Sequence, residues 1–126
     1  MTIALPEFPS SAAFDAMNAT FEASDADRQE AKNQGKAVFQ FNLKNASGVE
    51  HSWSLDLEKE GKVFDGPHKK PTVTLSLTDE NFGKLVEGKA NAQKLFMGGK
   101  LKVKGDVMKA TKLTPILDKA KVKAKL

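Results

Sequence analysis

The chain contains no cysteine, so disulfide bonds, thiolate nucleophiles and zinc–thiolate sites are excluded. Small secreted domains often depend on disulfide bonds, and the absence of cysteine therefore favours a reducing compartment. No apolar run approaches the roughly 20 residues that a transmembrane helix needs. The first residues lack a basic start followed by an apolar stretch, so we expect no secretory signal peptide. The length predicts a single domain over residues 1–126.

Apart from aspartate and glutamate, which are plentiful, residues that carry catalysis or bind metal ions are scarce. Tyrosine is absent, and the only two histidines, His51 and His68, do not stand at a metal-ligand spacing. His51 shares the parity of the apolar residues on its predicted strand, which favours a partly buried packing role. No phosphate-binding loop, dinucleotide fingerprint or serine hydrolase motif is present. We therefore predict that the protein is not an enzyme and uses no metal or cofactor.

Charge is distributed unevenly along the chain. Residues 1–30 carry a net charge of −5, residues 31–99 carry +2, and residues 100–126, with nine lysines and two aspartates, carry +7. A lysine-rich end is either a solvated tail or a surface for nucleic acid, an anionic membrane or a receptor. Arg28 is the only arginine, and no aromatic residue stands among the C-terminal lysines to stack on bases. We therefore predict no nucleic-acid partner.

The order of helical and extended patterns predicts an α+β domain. After a proline-containing lead-in over residues 1–9, Ser10 or Ser11 can cap a first helix, and a second, short helix ends at Gly35. Period-two alternation then predicts a β-meander of four strands, followed by a helix capped by Thr78, another helix, a fifth strand and a last helix capped by Asp106. Four strands have one apolar and one polar face. This pattern predicts a sheet covered by helices on one face and exposed to water on the other.

Bulky and adaptable apolar side chains are concentrated on the predicted helices. Such residues are suited to lining a cavity that holds a lipid, but composition alone favours an ordinary core, because periodicity does not reveal a cavity. The residues concerned are Phe14, Met17, Phe21, Phe82, Phe96, Met97 and Met108.

The segment 95–106, which reads LFMGGKLKVKGD, resembles the G-K-L-K-[IV]-x-G-[ND] signature of the sterol carrier protein-2 family. The similarity extends over about residues 14–118. One departure is Gly98, which stands where family members often carry a glutamine in the tunnel wall, and this implies a wider pocket. Further matches are Trp53 ahead of a glycine-containing turn, the helix start at Asp79 and Phe82, its end at Gly88 and Lys89, and Asn91 and Gln93 in the next helix.

The resemblance implies a five-stranded, mainly antiparallel sheet with helices on one face and a hydrophobic tunnel between the two layers. Family members bind fatty acids, fatty acyl-CoA, sterols and phospholipids without transforming them. The implied function is a carrier or buffer of single-chain lipids, and we expect the protein to be a monomer. A peroxisomal interaction module, or an accessory that presents acyl-CoA to β-oxidation enzymes, remains the alternative. The predicted lipid-binding residues are Phe14, Met17, Phe21, Trp53, Phe82, Leu85, Val86, Leu95, Phe96, Met97, Leu101, Val103, Met108, Leu113, Ile116 and Leu117.

The tripeptide Ala124-Lys125-Leu126 resembles the C-terminal S-K-L type of peroxisomal address. Lysines alternate through residues 119–126 and keep this segment solvated, as a receptor-read peptide requires. We therefore predict a peroxisomal protein in which residues 119–126 form a basic targeting tail for the import receptor. An anionic membrane surface stays open as a further partner of the lysines.

Overall fold

The computed structural model describes residues 3–87 and 89–110. The five strands form a single sheet, and the predicted α+β class with a mainly antiparallel, five-stranded sheet is confirmed. The strands are β1 Val38–Lys44, β2 Glu50–Asp56, β3 Lys62–Asp65, β4 Val73–Thr78 and β5 Lys102–Gly105. The helices are α1 Ala12–Ala23, α2 Asp25–Gly35, α3 Asp79–Val86, α4 Ala92–Met97 and α5 Val107–Ala110.

The position of β4 differs from the predicted four-stranded meander. Strands β1, β2 and β3 pair antiparallel in sequence order, but β4 crosses to the other edge of β1 and pairs with it in parallel. Strand β5 then pairs antiparallel with β4, which gives the order β3-β2-β1-β4-β5. Residue alternation has the same period in parallel and antiparallel strands, so the pattern alone did not encode this crossover. As a result, β1 lies at the centre of the sheet.

Along most of β1, the two faces of the sheet differ as the alternation predicts, whereas at the end of β2 the polar residues Ser54 and Asp56 are buried as well. Phe39, Phe41 and Leu43 of β1 are fully buried beneath the helices. On the opposite face, Asn42 Oδ1 accepts hydrogen bonds from Ser52 Oγ at 2.7 Å and from Gln40 Nε2 at 3.0 Å. Polar side chains that bond to one another in this way can remain at a hydrated surface without covering from a second layer.

Two of the predicted helix caps are present. Thr78 Oγ1 accepts a hydrogen bond from the backbone N–H of Asn81 at 3.1 Å, at the start of α3. Asp106 Oδ1 accepts from the backbone N–H of Lys109 at 3.4 Å, at the start of α5. Gly88, the predicted end of α3, lies outside the described residues.

The predicted serine cap of α1 is wrong. A 3₁₀ turn, Pro9–Ser11, runs directly into α1, and Ser11 itself has helical backbone angles. The Ser11 hydroxyl instead donates to the carbonyl oxygen of Phe8 and accepts from the backbone N–H of Leu5 at 2.9 Å. Ser11 therefore fixes the chain that precedes the helix.

Gly35 has a different role from the predicted one. It is the last residue of α2, and the left-handed residue that ends the helix is Lys36, with φ 49°. A Cβ atom at position 35 would lie 2.6 Å from Leu57 Cδ1. Glycine is thus needed here because it allows α2 to pack closely against the chain at the end of β2.

Candidate functional site

Four aromatic rings lie at the centre of the helix-covered face. Phe14 of α1 stacks on Trp53 of β2, with ring centroids 5.0 Å apart, and on Phe82 of α3 at 4.9 Å. Phe41 of β1 lies beneath, 5.5 Å from Phe14 and 5.3 Å from Phe82. All four side chains are fully buried. Two helices and the adjacent strands β1 and β2 are therefore joined through one aromatic cluster, which consists of Phe14, Phe41, Trp53 and Phe82.

Residues 3–11, which we call the N-terminal strap, cover one end of the aromatic cluster. Trp53 Nε1 donates to the carbonyl oxygen of Ile3 at 2.9 Å, and the buried ring of Phe8 meets the ring of Trp53 edge-on at 5.4 Å. The backbone N–H of Ile3 donates to Asp15 Oδ1 at 2.8 Å, which ties the strap to α1. The sequence analysis did not predict this role, because residues 3–11 follow neither a helical nor a strand period.

The structure divides the predicted lipid-binding residues into a buried and an exposed group. Phe96, Met97 and Met108 are exposed. The exposure of Val86 and Val103 is intermediate, because both side chains are half-buried. Leu113, Ile116 and Leu117 lie outside the described residues. The buried group consists of Phe14, Met17, Phe21, Trp53, Phe82, Leu85, Leu95 and Leu101. Apolar side chains therefore become accessible towards α4, β5 and α5, while the tunnel itself stays a prediction.

The signature segment has a clear structural role between α4 and β5. The backbone N–H groups of Lys100 and Leu101 donate to the carbonyl oxygen of Leu95, at 2.9 and 3.1 Å, and Gly99 has φ 76°. This turn returns the chain to the sheet and buries Leu101 beside the helices. At the other end of β5, Gly105 has φ 101°, and a Cβ atom there would lie 2.5 Å from the carbonyl oxygen of Thr72. Glycine is required at both turns.

Gly98, where the resemblance implies a missing polar group, is the exposed residue that directly follows α4. A Cβ atom at this position would lie 3.3 Å from the carbonyl oxygen of Lys94. A larger residue would therefore have to shift the local backbone slightly. The wider pocket that the resemblance implies stays a prediction.

A separate cleft of about 350 Å³ opens between α1, α2 and the turn that joins β2 to β3. Six of its eight lining residues are charged or polar, and one predicted lipid-binding residue, Phe21, is among the other two. A charged lining does not suit an alkyl chain, because charged groups must keep their hydration or a partner. The lining residues are Asn18, Phe21, Glu22, Asp25, Arg28, Glu60, Gly61 and Lys62.

His51 packs against aromatic rings, as predicted. Its ring lies 4.6 Å from the ring of Trp53, and its Nε2 atom lies 2.6 Å from Asp65 Oδ1. Within the described ranges, no group of three histidine, aspartate or glutamate side chains could hold a metal ion. In the same part of the chain, no helix is long and apolar enough to cross a bilayer.

Known proteins with similar sequences and structures cover nearly the whole chain. The model of the SCP-2 sterol transfer family matches residues 14–118. The fatty acid-binding protein of Yarrowia lipolytica is 43% identical over 125 residues, which span 95% of this chain and 97% of the relative. The oleate-induced peroxisomal protein POX18 of Candida maltosa is 45% identical over 106 residues, which span 82% of this chain and 84% of the relative.

The fold is also that of a solved structure. The apo form of sterol carrier protein 2 from Yarrowia lipolytica superposes with a TM-score of 0.88 at 42% sequence identity. The match covers 96% of this chain and 98% of the solved one.

Proposed function

Since the chain belongs to the SCP-2 sterol transfer family, we propose that it carries or buffers single-chain lipids without transforming them. Fatty acids and fatty acyl-CoA are the proposed ligands, with sterols and phospholipids as further candidates, and a monomer is the proposed form. The supporting observation is that the apolar residues of α4 and β5 include buried Leu95, half-buried Val103 and exposed Phe96 and Met97. A fatty acid-binding relative that is 43% identical supports the same ligand class.

The physical driving force for such binding is burial of the alkyl chain. Each buried methylene contributes about 0.8 kcal/mol, so a sixteen-carbon chain gains on the order of 12 kcal/mol before the costs of association. Tight binding therefore needs no specific polar contact. Because one methylene changes the total little, we expect loose selectivity for chain length.

Titration with a fluorescent fatty acid is expected to show saturable, one-to-one binding to the delipidated protein. We expect Val103→Gln to weaken binding by about tenfold, because an amide without a partner in an apolar site costs roughly 1–3 kcal/mol. Thr74→Gln is the matched control, because Thr74 lies on the adjacent strand and on the opposite, polar face. Affinity of this control should stay within about twofold of the unmodified protein.

The outcomes of this titration separate the alternatives. Absence of saturable binding, together with no lipid in mass spectra of the purified protein, would refute the carrier and favour an interaction module. Turnover of acyl-CoA during incubation would identify an enzyme instead. Equal weakening by both substitutions would place the lipid away from the helix-covered face.

The emission of Trp53 is expected to change when a non-fluorescent fatty acid binds. Trp53 is the only tryptophan, and it stacks on Phe14, which stacks in turn on Phe82. Any adjustment of α1 or α3 around a lipid should therefore alter the surroundings of the indole ring. The measurement is the emission spectrum through a titration, with free tryptophan amide as the control for direct quenching. An unchanged spectrum at saturation would show that the lipid lies away from the aromatic cluster.

We also propose that the protein acts in peroxisomes and that Ala124-Lys125-Leu126 is the address read by the import receptor. The 45% identical relative that is named a peroxisomal protein supports this location. These three residues, and the proposed targeting tail over 119–126, lie outside the described residues. The proposed tail would follow a single lipid-binding domain.

A further inference from the structure

A side chain of α1 closes the outer edge of β3. Strand β3, at one end of the sheet, pairs with β2 on its inner side. On its outer side, Asn18 Oδ1 accepts a hydrogen bond from the backbone N–H of Val63 at 2.8 Å, and Asn18 Nδ2 donates to the carbonyl oxygen of Val63 at 3.0 Å. The side-chain amide of Asn18 therefore occupies the place that a peptide group of a neighbouring strand would take.

Val63 carries the central outward-facing backbone groups of this strand. In an antiparallel pair, the backbone groups of successive residues point alternately towards the neighbouring strand and away from it. The backbone N–H of Gly66 donates to the carbonyl oxygen of Ser52 at 2.9 Å, so the backbone groups of Phe64 also face β2. Those of Val63 and Asp65 face outwards, and Asp65 is the last residue of the strand. Asn18 thus blocks the position that an added strand would need first.

The two edges of the sheet are protected in different ways. An uncovered edge strand is a template for pairing with another chain, and lysines or a covering element oppose such pairing. On β5, two of the four residues are lysines, Lys102 and Lys104. Strand β3 has one lysine, Lys62, whose Nζ atom lies 5.4 Å from the centre of the Phe64 ring. Protection of β3 therefore depends on Asn18 more than on charge.

We propose that the β3 edge is a self-association surface, which fits β3 of a second copy of the chain, and that Asn18 masks it and keeps the protein monomeric. A two-fold axis at Val63 lets the two Val63 residues exchange their N–H···O=C bonds. The same register places Lys62 of each copy opposite Phe64 of the other, so no like charges meet across the pair. This inference rests on the monomeric form proposed above and does not require a bound lipid.

Light scattering during size-exclusion chromatography tests the masking role of Asn18. The native chain is expected to keep the mass of a monomer between about 10 and 500 μM, because a contact of one short strand is small. Asn18→Ala leaves both Val63 groups without their partner, and we expect it to strengthen self-association at least tenfold, by an order-of-magnitude estimate. Asn33→Ala is the matched control, since it removes the same side chain from an exposed position on α2, and it should stay monomeric.

A second substitution tests the pairing of the two β3 strands. Added to Asn18→Ala, Phe64→Lys would place a lysine opposite Lys62 of the second copy, and we expect it to restore the monomer. Val49→Lys makes a similar change at an exposed residue outside β3 and should leave the dimer intact.

The fold of each variant is checked by circular dichroism during heating. If Asn18→Ala does not fold, Asn18→Asp takes its place. The carboxylate has nearly the same size as the amide but has no N–H to donate to the carbonyl oxygen of Val63, so we expect at least threefold stronger self-association, by an order-of-magnitude estimate.

Three results would overturn the proposal. They are a native chain that is already dimeric, folded Asn18 variants that stay monomeric up to about 500 μM, and association that Phe64→Lys does not reverse. The last result would place the second copy at another surface. Titration with the fluorescent fatty acid is run in parallel on the native chain and on Asn18→Ala. A chain that associates as expected but binds no fatty acid would refute only the carrier proposal.

Discussion

Replacement of Phe14 by alanine is expected to lower the free energy of unfolding by about 3–5 kcal/mol. The side chain is fully buried and touches three rings of the aromatic cluster, at centroid distances of 4.9–5.5 Å. Its removal would leave a cavity beneath α1 and would also remove two stacked aromatic contacts. Urea denaturation followed by circular dichroism measures the change.

Phe96→Ala is the matched control for this prediction. It makes the same chemical change at a residue that is 46% exposed, and we expect a loss below about 1 kcal/mol. A loss at Phe14 as small as the loss at Phe96 would contradict the expectation. It would mean that a void, such as the predicted tunnel, already lies beside Phe14 and accommodates the change.

Deletion of Leu126 is expected to abolish import into peroxisomes and to leave fatty acid binding intact. The deletion removes the last residue of the proposed address, which a receptor reads as a C-terminal peptide. Import is scored by co-localisation of an N-terminally tagged chain with a peroxisomal marker. Lys123→Ala, which changes the tail outside the tripeptide, is the control and should still be imported.

The competing hypothesis is that the C-terminal segment also closes the tunnel. Normal import after deletion of Leu126 would refute the address. A large loss of affinity after removal of residues 119–126, in a chain with an unchanged circular dichroism spectrum, would show that the tail belongs to the lipid site. The two measurements are independent, because import does not require a purified protein and binding does not require a cell.

The sequence predicted the strands well because alternation follows directly from the geometry of a pleated sheet. It could not place β4, since the pairing of Phe41 with both Trp53 and Leu75 depends on a crossover and not on local pattern. The strap was missed for a similar reason. Residues such as Phe8 have no helical or extended period, and only the tertiary contact with Trp53 gives them a role.

The residue types of the candidate site could be predicted from the sequence, but which of those residues are buried could not. Leu95, Phe96 and Met97 are consecutive apolar residues of one helix, and a helix cannot turn all three towards the same core. The structure buries Leu95 and exposes the other two. The glycines of the signature were recognised from the resemblance, but their physical reasons, the positive φ angles at Gly99 and Gly105, are evident only in the folded chain.

The parallel pairing of β1 with β4 also affects the order in which the chain can fold. Asn42 and Ser52, which bond across β1 and β2, are 10 residues apart, whereas Val38 and Thr72, which bond at the start of the parallel pair, are 34 residues apart. Closing the longer loop costs roughly 1 kcal/mol more chain entropy. The hairpin can therefore form early, while the central strand obtains its second neighbour only after a long, slow search. Until then, one edge of β1 is open to pairing with other chains, which makes the interval before β4 docks the step most exposed to aggregation.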